Sequence, residues 1–297
     1  MLDQRDLAGS VVVGVDGSDH ALAAVEWAAA RAHQQHRPLR LLSSQDAVPG
    51  PAFGIPWDAT LDDLLRQAAE AILQQGIARA RSGRPDLDVS GQVTWEPPAQ
   101  ALLDAAEVAE LVVVGRRGRG GWSGLLLGSV SVALAGHTMC PVVVVPTPPD
   151  EGAAPTTSGP VVVGVDDSHH CDAAIDFAFA EAAATGADLV AVHAWTLDPV
   201  RDAAVMADPG ALRAIGVQND ALLERMTAAG SAAHPAVVVR HREVRDRPAL
   251  ALGATQGARM VVVGSRGRGG FVGLILGSTS HQLLNLATCP VAVVRGR

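Results

Sequence analysis

Apolar residues fall into short unbroken runs separated by stretches of helical periodicity. Val11–Val15 is β-branched apart from Gly14, the pattern of a strand buried on both faces. Ser18 or Asp19 can cap the helix that follows, which the spacing carries to about His33. Leu39–Ser43 predicts a second strand. Leu61, Leu64, Leu65, Ala68, Ala69, Ile72 and Leu73 then recur at helical intervals, with Asp62, Asp63, Arg66 and Glu70 on the other side. A weaker strand spans about 88–95, a helix about Ala99–Ala109, and a strand Leu111–Val114. A short helix over Ser129–Gly136 and a last strand, Val142–Val145, complete the set.

This order, β-α-β-α-β-α-β-loop-α-β, predicts an α/β fold: a parallel sheet with helices on both faces. Doubly wound sheets bind ligands at strand carboxyl ends where the winding reverses. The ends carrying unusual chemistry are those of the first strand, with Asp16, and the fourth, with Gly115. If these strands are neighbours, the two residues flank the switch point.

The whole pattern occurs twice. "VVVGVD" stands at 11–16 and 161–166, "LVVVG" at 111–115 answers "MVVVG" at 260–264, and "CPVVVV" at 140–145 answers "CPVAVV" at 289–294. The displacement shrinks by one residue between Pro98 and Leu111. A unit this long is a duplicated domain rather than a solenoid repeat. Between the copies lies "PTPPDEGAAPTTSGP", from which no core can be built. The expected organisation is a domain over 8–146, a linker over 147–158 and a second domain over 159–297.

Composition narrows the chemistry. Hydrophobic residues make up 48% and aromatic residues 3%, so the cores rest on Val, Leu, Ile and Ala. The net charge of −8 argues against a nucleic-acid partner. No apolar run spans a membrane, the first ten residues do not resemble a secretory signal, and three cysteines make no disulfide framework. The expected location is the cytoplasm. All 23 basic residues are Arg.

The loop after the fourth strand, "GRRGRGGWSGLLLGSVS", holds Gly115, Gly118, Gly120, Gly121, Gly124 and Gly128 among three arginines. Glycine lets backbone approach a ligand closely. Gly128-Ser129 opens a helix, whose N-terminus presents unpaired N–H groups and partial positive charge. Ser129 and Ser131 add hydroxyls. A phosphate cradle and a plain flexible lid both fit one such loop. Its recurrence as Gly264, Gly267 and Gly277-Ser278, at the same G-x2-G-x9-G-S spacing, favours the cradle. A Walker-type loop needs a lysine that this chain lacks, and no dinucleotide G-x-G-x-x-G follows the first strand. A Cβ added at Gly118 is expected to enter the phosphate path.

The early "VVVGVDGS" and the late G-x2-G-x9-G-S motif before a short helix and a "CPVVVV" strand resemble the universal stress protein family, over essentially all of the chain outside the linker. The resemblance is to a tandem-domain, ATP-binding type with actinobacterial features. It implies two Rossmann-like five-stranded parallel sheets of order 3-2-1-4-5, and ATP in each half, with Mg2+ admitted as a companion. It implies that Gly14, Asp16 and Ser44, and Gly164, Asp166 and Ala194, meet the nucleoside side. Gly115, Gly118, Gly128, Ser129, Val130 and Ser131 would hold the phosphates of the first site. Gly264, Ser265, Gly267, Gly277, Ser278, Thr279 and Ser280 would hold those of the second. Arg116 and Arg266 lie at variable positions of the motif, where pairing with phosphate and a solvated side chain both fit. It further implies paired halves as an internal pseudo-dimer, with a homodimer beyond it. The function expected is a nucleotide-dependent stress-response sensor with an unidentified protein partner. The alternatives are a slow ATPase or phosphotransferase, or an interaction module indifferent to nucleotide.

Other residues carry less. His169, His170 and Cys171 lack a fourth ligand and read mainly as a polar helix entry. Cys140 and Cys289 read as packing residues. His193, in "LVAVHAW", reads as a core or pocket-rim histidine. Trp27, Trp57, Trp95 and Trp195 are expected to pack, while Trp122 and Phe271 are loop-tip aromatics able to cover a ligand or meet a partner.

Overall fold

Each β-branched run of the sequence forms a strand of a parallel sheet. The computed structural model describes residues 2–44, 59–118, 127–146, 158–168, 171–255, 257–267 and 276–296. The chain divides into two units, Met1–Pro155 and Thr156–Arg297.

The first unit runs α1 (Gln4–Leu7), β1 (Val11–Val15), α2 (Asp19–Gln34), β2 (Leu39–Ser44), α3 (Ala59–Arg81), β3 (Val89–Thr94), α4 (Pro98–Ala106), β4 (Leu111–Gly115), α5 (Ser129–His137) and β5 (Val142–Val145). Its strand order is β3-β2-β1-β4-β5. Val11 of β1 registers with Leu39 of β2 and with Leu111 of β4, all parallel. The first and fourth strands are therefore neighbours. Their chain leaves β1 in one direction and β4 in the other, opening a crevice at their carboxyl ends.

The second unit repeats this plan with β6 (Val161–Gly164), α6 (Asp172–Thr185), β7 (Leu189–Ala194), α7 (Ala203–Ala207), α8 (Pro209–Ala233), β8 (Val239–Val244), α9 (Pro248–Gly253), β9 (Met260–Gly264), α10 (Ser278–Leu286) and β10 (Val291–Val294). Its order is β8-β7-β6-β9-β10.

In the first unit α2 and α3 pack together against one face of the sheet, and α4 and α5 against the other. Val11, Val12 and Val13 are wholly buried, as their β-branched run requires. Glycines set the closest approaches. A Cβ on Gly14 would lie 2.8 Å from Leu102 Cδ1 of α4, and one on Gly76 of α3 would lie 2.5 Å from Leu41 Cδ2.

Several expectations need adjustment. The buried stripe of α3 runs through Ala69, Leu73 and Ala80, while Leu64 is 58% exposed and Ala68 is also exposed. Helical spacing alone admitted both to the apolar face; packing on β2 and β3 rotates it away from them. Helix α4 begins one residue earlier, because Pro98 at a first-turn position donates no N–H and loses nothing there, and it ends at Ala106. Helix α1 was not expected. Asp6 anchors it through Arg40 of β2, whose Nε donates to Asp6 Oδ1 at 2.7 Å while its Nη2 donates to Asp88 Oδ2 at 3.1 Å. Trp27 is buried as expected, but Trp95 is 36% exposed, with the Arg66 guanidinium 5.9 Å from its ring centroid. Trp57, Trp122, His169, His170 and Phe271 lie outside the described residues.

Candidate functional site

Asp16 and Asp166 stand just past the carboxyl ends of β1 and β6. Asp16 Oδ1 accepts from the Ser18 N–H at 3.0 Å and the Ser18 hydroxyl at 2.6 Å; Asp166 Oδ1 accepts from Ser168 in the same way, at 3.0 and 2.6 Å. Ser18 in turn accepts from the Ala21 N–H at 3.2 Å and so caps α2. One serine thus ties the carboxylate to the helix start. The other carboxylate oxygen faces the glycine loop. A Cβ on Gly267 would lie 2.6 Å from Asp166 Oδ2, and one on Gly118 would strike Asp16 Oδ2. The missing Cβ of Gly118 thus clears room for the acid on the opposite wall.

The loop is closed at its base by backbone. The Arg116 N–H donates to the Val145 carbonyl at 2.9 Å, and the Gly128 N–H to the Arg116 carbonyl at 2.9 Å. In the second unit Ser265 donates to Val294 at 2.9 Å, and Gly277 to Ser265 at 2.8 Å. Gly128 and Gly277 therefore spend their N–H groups on loop closure. Gly115 is held still more tightly, since a Cβ there would lie 2.5 Å from the His20 carbonyl oxygen.

Gly128 and Gly277 are also the N-caps of α5 and α10, and neither helix has a side-chain cap. Each helix start thus presents its first-turn N–H groups, at Ser129, Val130 and Ser131 or at Ser278, Thr279 and Ser280, with partial positive charge. The hydroxyls divide by position. Ser129 and Ser278 are exposed. Ser131 and Ser280 are buried and turned inward, donating to the Gly115 carbonyl at 3.0 Å and the Gly264 carbonyl at 2.7 Å. Each has committed its one proton to pinning helix to strand.

In the second unit these parts border a cleft of about 590 Å³. Gly164 and Asp166 line one side, and Gly264, Arg266 and Gly267 another. Gly277 through Ser280 form the helix-start wall, and Ala194 stands at the end of β7. Ser265 is not on this lining; it is 2% exposed. In the first unit Gly14 packs on Leu102, Ser44 donates its hydroxyl to the Glu96 carbonyl, and Arg116 is half-buried.

The sequence did not single out Val192, Trp195, Thr196, Pro248 and Leu252 as lining, yet all border the cleft, as does His193, which it read as a core or pocket-rim histidine. Their signal was hidden because strand-end and helix residues look like core. His193 is 5% exposed, and its Nδ1 donates to the Val165 carbonyl at 2.7 Å. Cys171 also borders the cleft, but its thiol donates to the Gly164 carbonyl at 3.3 Å. Burial above all, and then the Asp166 carboxylate, push that thiol up to about 12, so it stays protonated and unreactive. On the first unit's loop side, burial and then the Arg117 and Arg116 guanidinium charges lower the basicity of His20.

The cleft is thus polar in two senses. A carboxylate can accept from hydroxyl groups, while an uncapped helix start and an arginine attract an anion. No described helix is long and apolar enough to cross a membrane.

Known proteins resemble this chain over its length. The model of the universal stress protein family matches residues 9–146 and again 158–295. A universal stress protein of Mycolicibacterium smegmatis is 36% identical over 300 residues, covering 97% of each chain. One from Mycobacterium tuberculosis is 36% identical over 306 residues, covering 96% of this chain and 94% of its own. The crystal structure of a universal stress protein from Archaeoglobus fulgidus superposes with a TM-score of 0.69 at 21% identity, over 98% of both chains, and shares the fold. With a cleft bordered by the carboxyl ends of its strands and a family model that matches twice, the chain belongs to the universal stress protein family, as a tandem of two Rossmann-like units.

Proposed function

We propose that each unit binds an adenine nucleotide, ATP, and that occupancy regulates a stress response in the cytoplasm by changing which protein partner is engaged. The observation that carries this reading is the pairing, in both units, of an uncapped helix start with a serine-tethered aspartate at the carboxyl ends of neighbouring strands. In this reading Asp16 and Asp166 accept hydrogen bonds from the ribose. The first-turn N–H groups of α5 and α10, with Arg116 and Arg266, receive the phosphates. Bound ATP supplies the polyanionic chain and the base, and Mg2+ enters as the companion of that charge.

The buried Ser131 and Ser280 belong to the frame of the site rather than to its contacts, because their protons are engaged by backbone carbonyls. Gly118 and Gly267 let their backbone lie against the acid.

The test is mass spectrometry of nucleotide released from the purified protein, followed by calorimetric titration with ATP. Two sites per chain are expected. Absence of adenine-nucleotide binding overturns the proposal.

A further inference from the structure

The two halves repeat each other at the phosphate side but diverge at the opposite end of the cleft. Where the second unit has His193, the repeat places Ser43 in the first; where it has Trp195, the repeat places Gln45. Ser43 is wholly buried and its hydroxyl has no hydrogen-bond partner among the described residues. His193 instead borders the cleft.

The imidazole of His193 is oriented by a single bond. A carbonyl can only accept, so Nδ1, at 2.7 Å from the Val165 oxygen, carries the proton. In the neutral ring Nε2 then holds a lone pair. Nε2 has no partner among the described residues, and His193 is one of the residues that line the cleft. A buried acceptor at a cleft wall selects for a donor on the ligand, because a second acceptor there leaves both lone pairs unmatched.

Trp195 stands two residues on, at the same end of the cleft. Its indole Nε1 donates to Glu243 Oε1 on β8, which also accepts from Asn219 Nδ2 of α8 at 3.4 Å. The ring is thereby tethered at its polar edge while it borders the cleft. A held aromatic plane beside an oriented acceptor is a pairing suited to a flat heterocycle bearing an exocyclic amino group.

We infer that His193 and Trp195, which the repeat replaces by Ser43 and Gln45 in the first unit, form a base-recognition subsite in the second unit, so that the two sites are unequal and the second selects amino-bearing bases such as adenine. This rests on the nucleotide reading above. His193 is the specificity residue, and Trp195 supplies stacking that every base can use.

The test uses the full chain and calorimetry with ATP and with inosine triphosphate, whose base carries an oxo group where adenine carries its amino group. Wild-type protein is expected to show one tighter and one weaker ATP site. The tighter site should lose about tenfold in affinity for inosine triphosphate, and the weaker site little. His193→Ser should erase that difference. Trp195→Gln should weaken both nucleotides about tenfold at that site, and Trp195→Phe should restore them. Two equal sites in the wild type, or an ATP preference untouched by His193→Ser, overturns the inference while leaving nucleotide binding intact. If His193→Ser does not fold, equal affinity of the wild-type tighter site for the two nucleotides overturns it instead. Absence of any ATP binding overturns the nucleotide reading itself, and this inference with it.

Discussion

Asp166 Oδ2 lies 2.6 Å from the point where a Cβ would stand on Gly267, and the other oxygen of that carboxylate is held by both the N–H and the hydroxyl of Ser168. The acid therefore cannot swing aside without breaking its tether. Gly267→Ala should displace the carboxylate and weaken ATP at the second site by about tenfold, with the fold retained, since the strain falls on a hydrogen-bonded side chain at a cleft edge. Calorimetry with circular dichroism checks this. Unchanged affinity would show that the carboxylate does not hold the ligand.

Gly115 carries a different constraint. Its absent Cβ would meet the backbone of His20, at 2.5 Å from the oxygen and 2.6 Å from the carbonyl carbon. Backbone at the first turn of α2 yields less readily than a side chain. Gly115→Ala should destabilise the first unit by about 2 kcal/mol. Gly216→Ala, inside α8 with only Glu243 Oε2 at 3.4 Å, should stabilise by about 1 kcal/mol through helix propensity. Urea unfolding of the two variants tests the contrast.

Ser129 and Ser131 should separate binding from stability. Ser131→Ala removes the donor to the buried Gly115 carbonyl and should cost about 1–3 kcal/mol. Ser129→Ala touches an exposed residue and should leave the unfolding midpoint nearly unchanged while weakening ATP. The reverse pattern would place the Ser131 hydroxyl, not that of Ser129, on the ligand.

The thiols of Cys140 and Cys171 are both pushed up to about 12, chiefly by burial. An unfolded thiol titrates near 9.0, so between those values the unfolded chain has lost protons that the native chain retains. This stabilisation is complete below about pH 9 and is lost as pH climbs toward about 12. Native protein at pH 8 should react slowly with a thiol reagent, and denatured protein fast. Cys171→Ala should flatten the alkaline fall in stability of the second unit. A steep fall that survives loss of both cysteines would assign it to other groups.

Much was legible locally. Val11–Val15, Leu111–Val114 and Val142–Val145 read as buried strands because β-branched runs can satisfy themselves only inside a sheet, and the structure has them there. Gly128-Ser129 and Gly277-Ser278 marked helix starts, because glycine followed by serine suits the entry to a helix, and the repeat doubled the signal. Helix α1 was not legible, because four residues carry no periodicity and its anchor, Arg40, lies on another element.

The sequence by itself determined the two-fold repeat, the α/β class and the identity of the loop residues, since each depends on spacing along one strand or helix. Only the tertiary structure decided that Asp166 presses on Gly267, that Ser131 turns inward while Ser129 does not, and that Trp195 reaches the cleft beside His193. Those relations join residues tens of positions apart. They follow from how the crossovers pack the helices on the sheet, a geometry that no local pattern encodes.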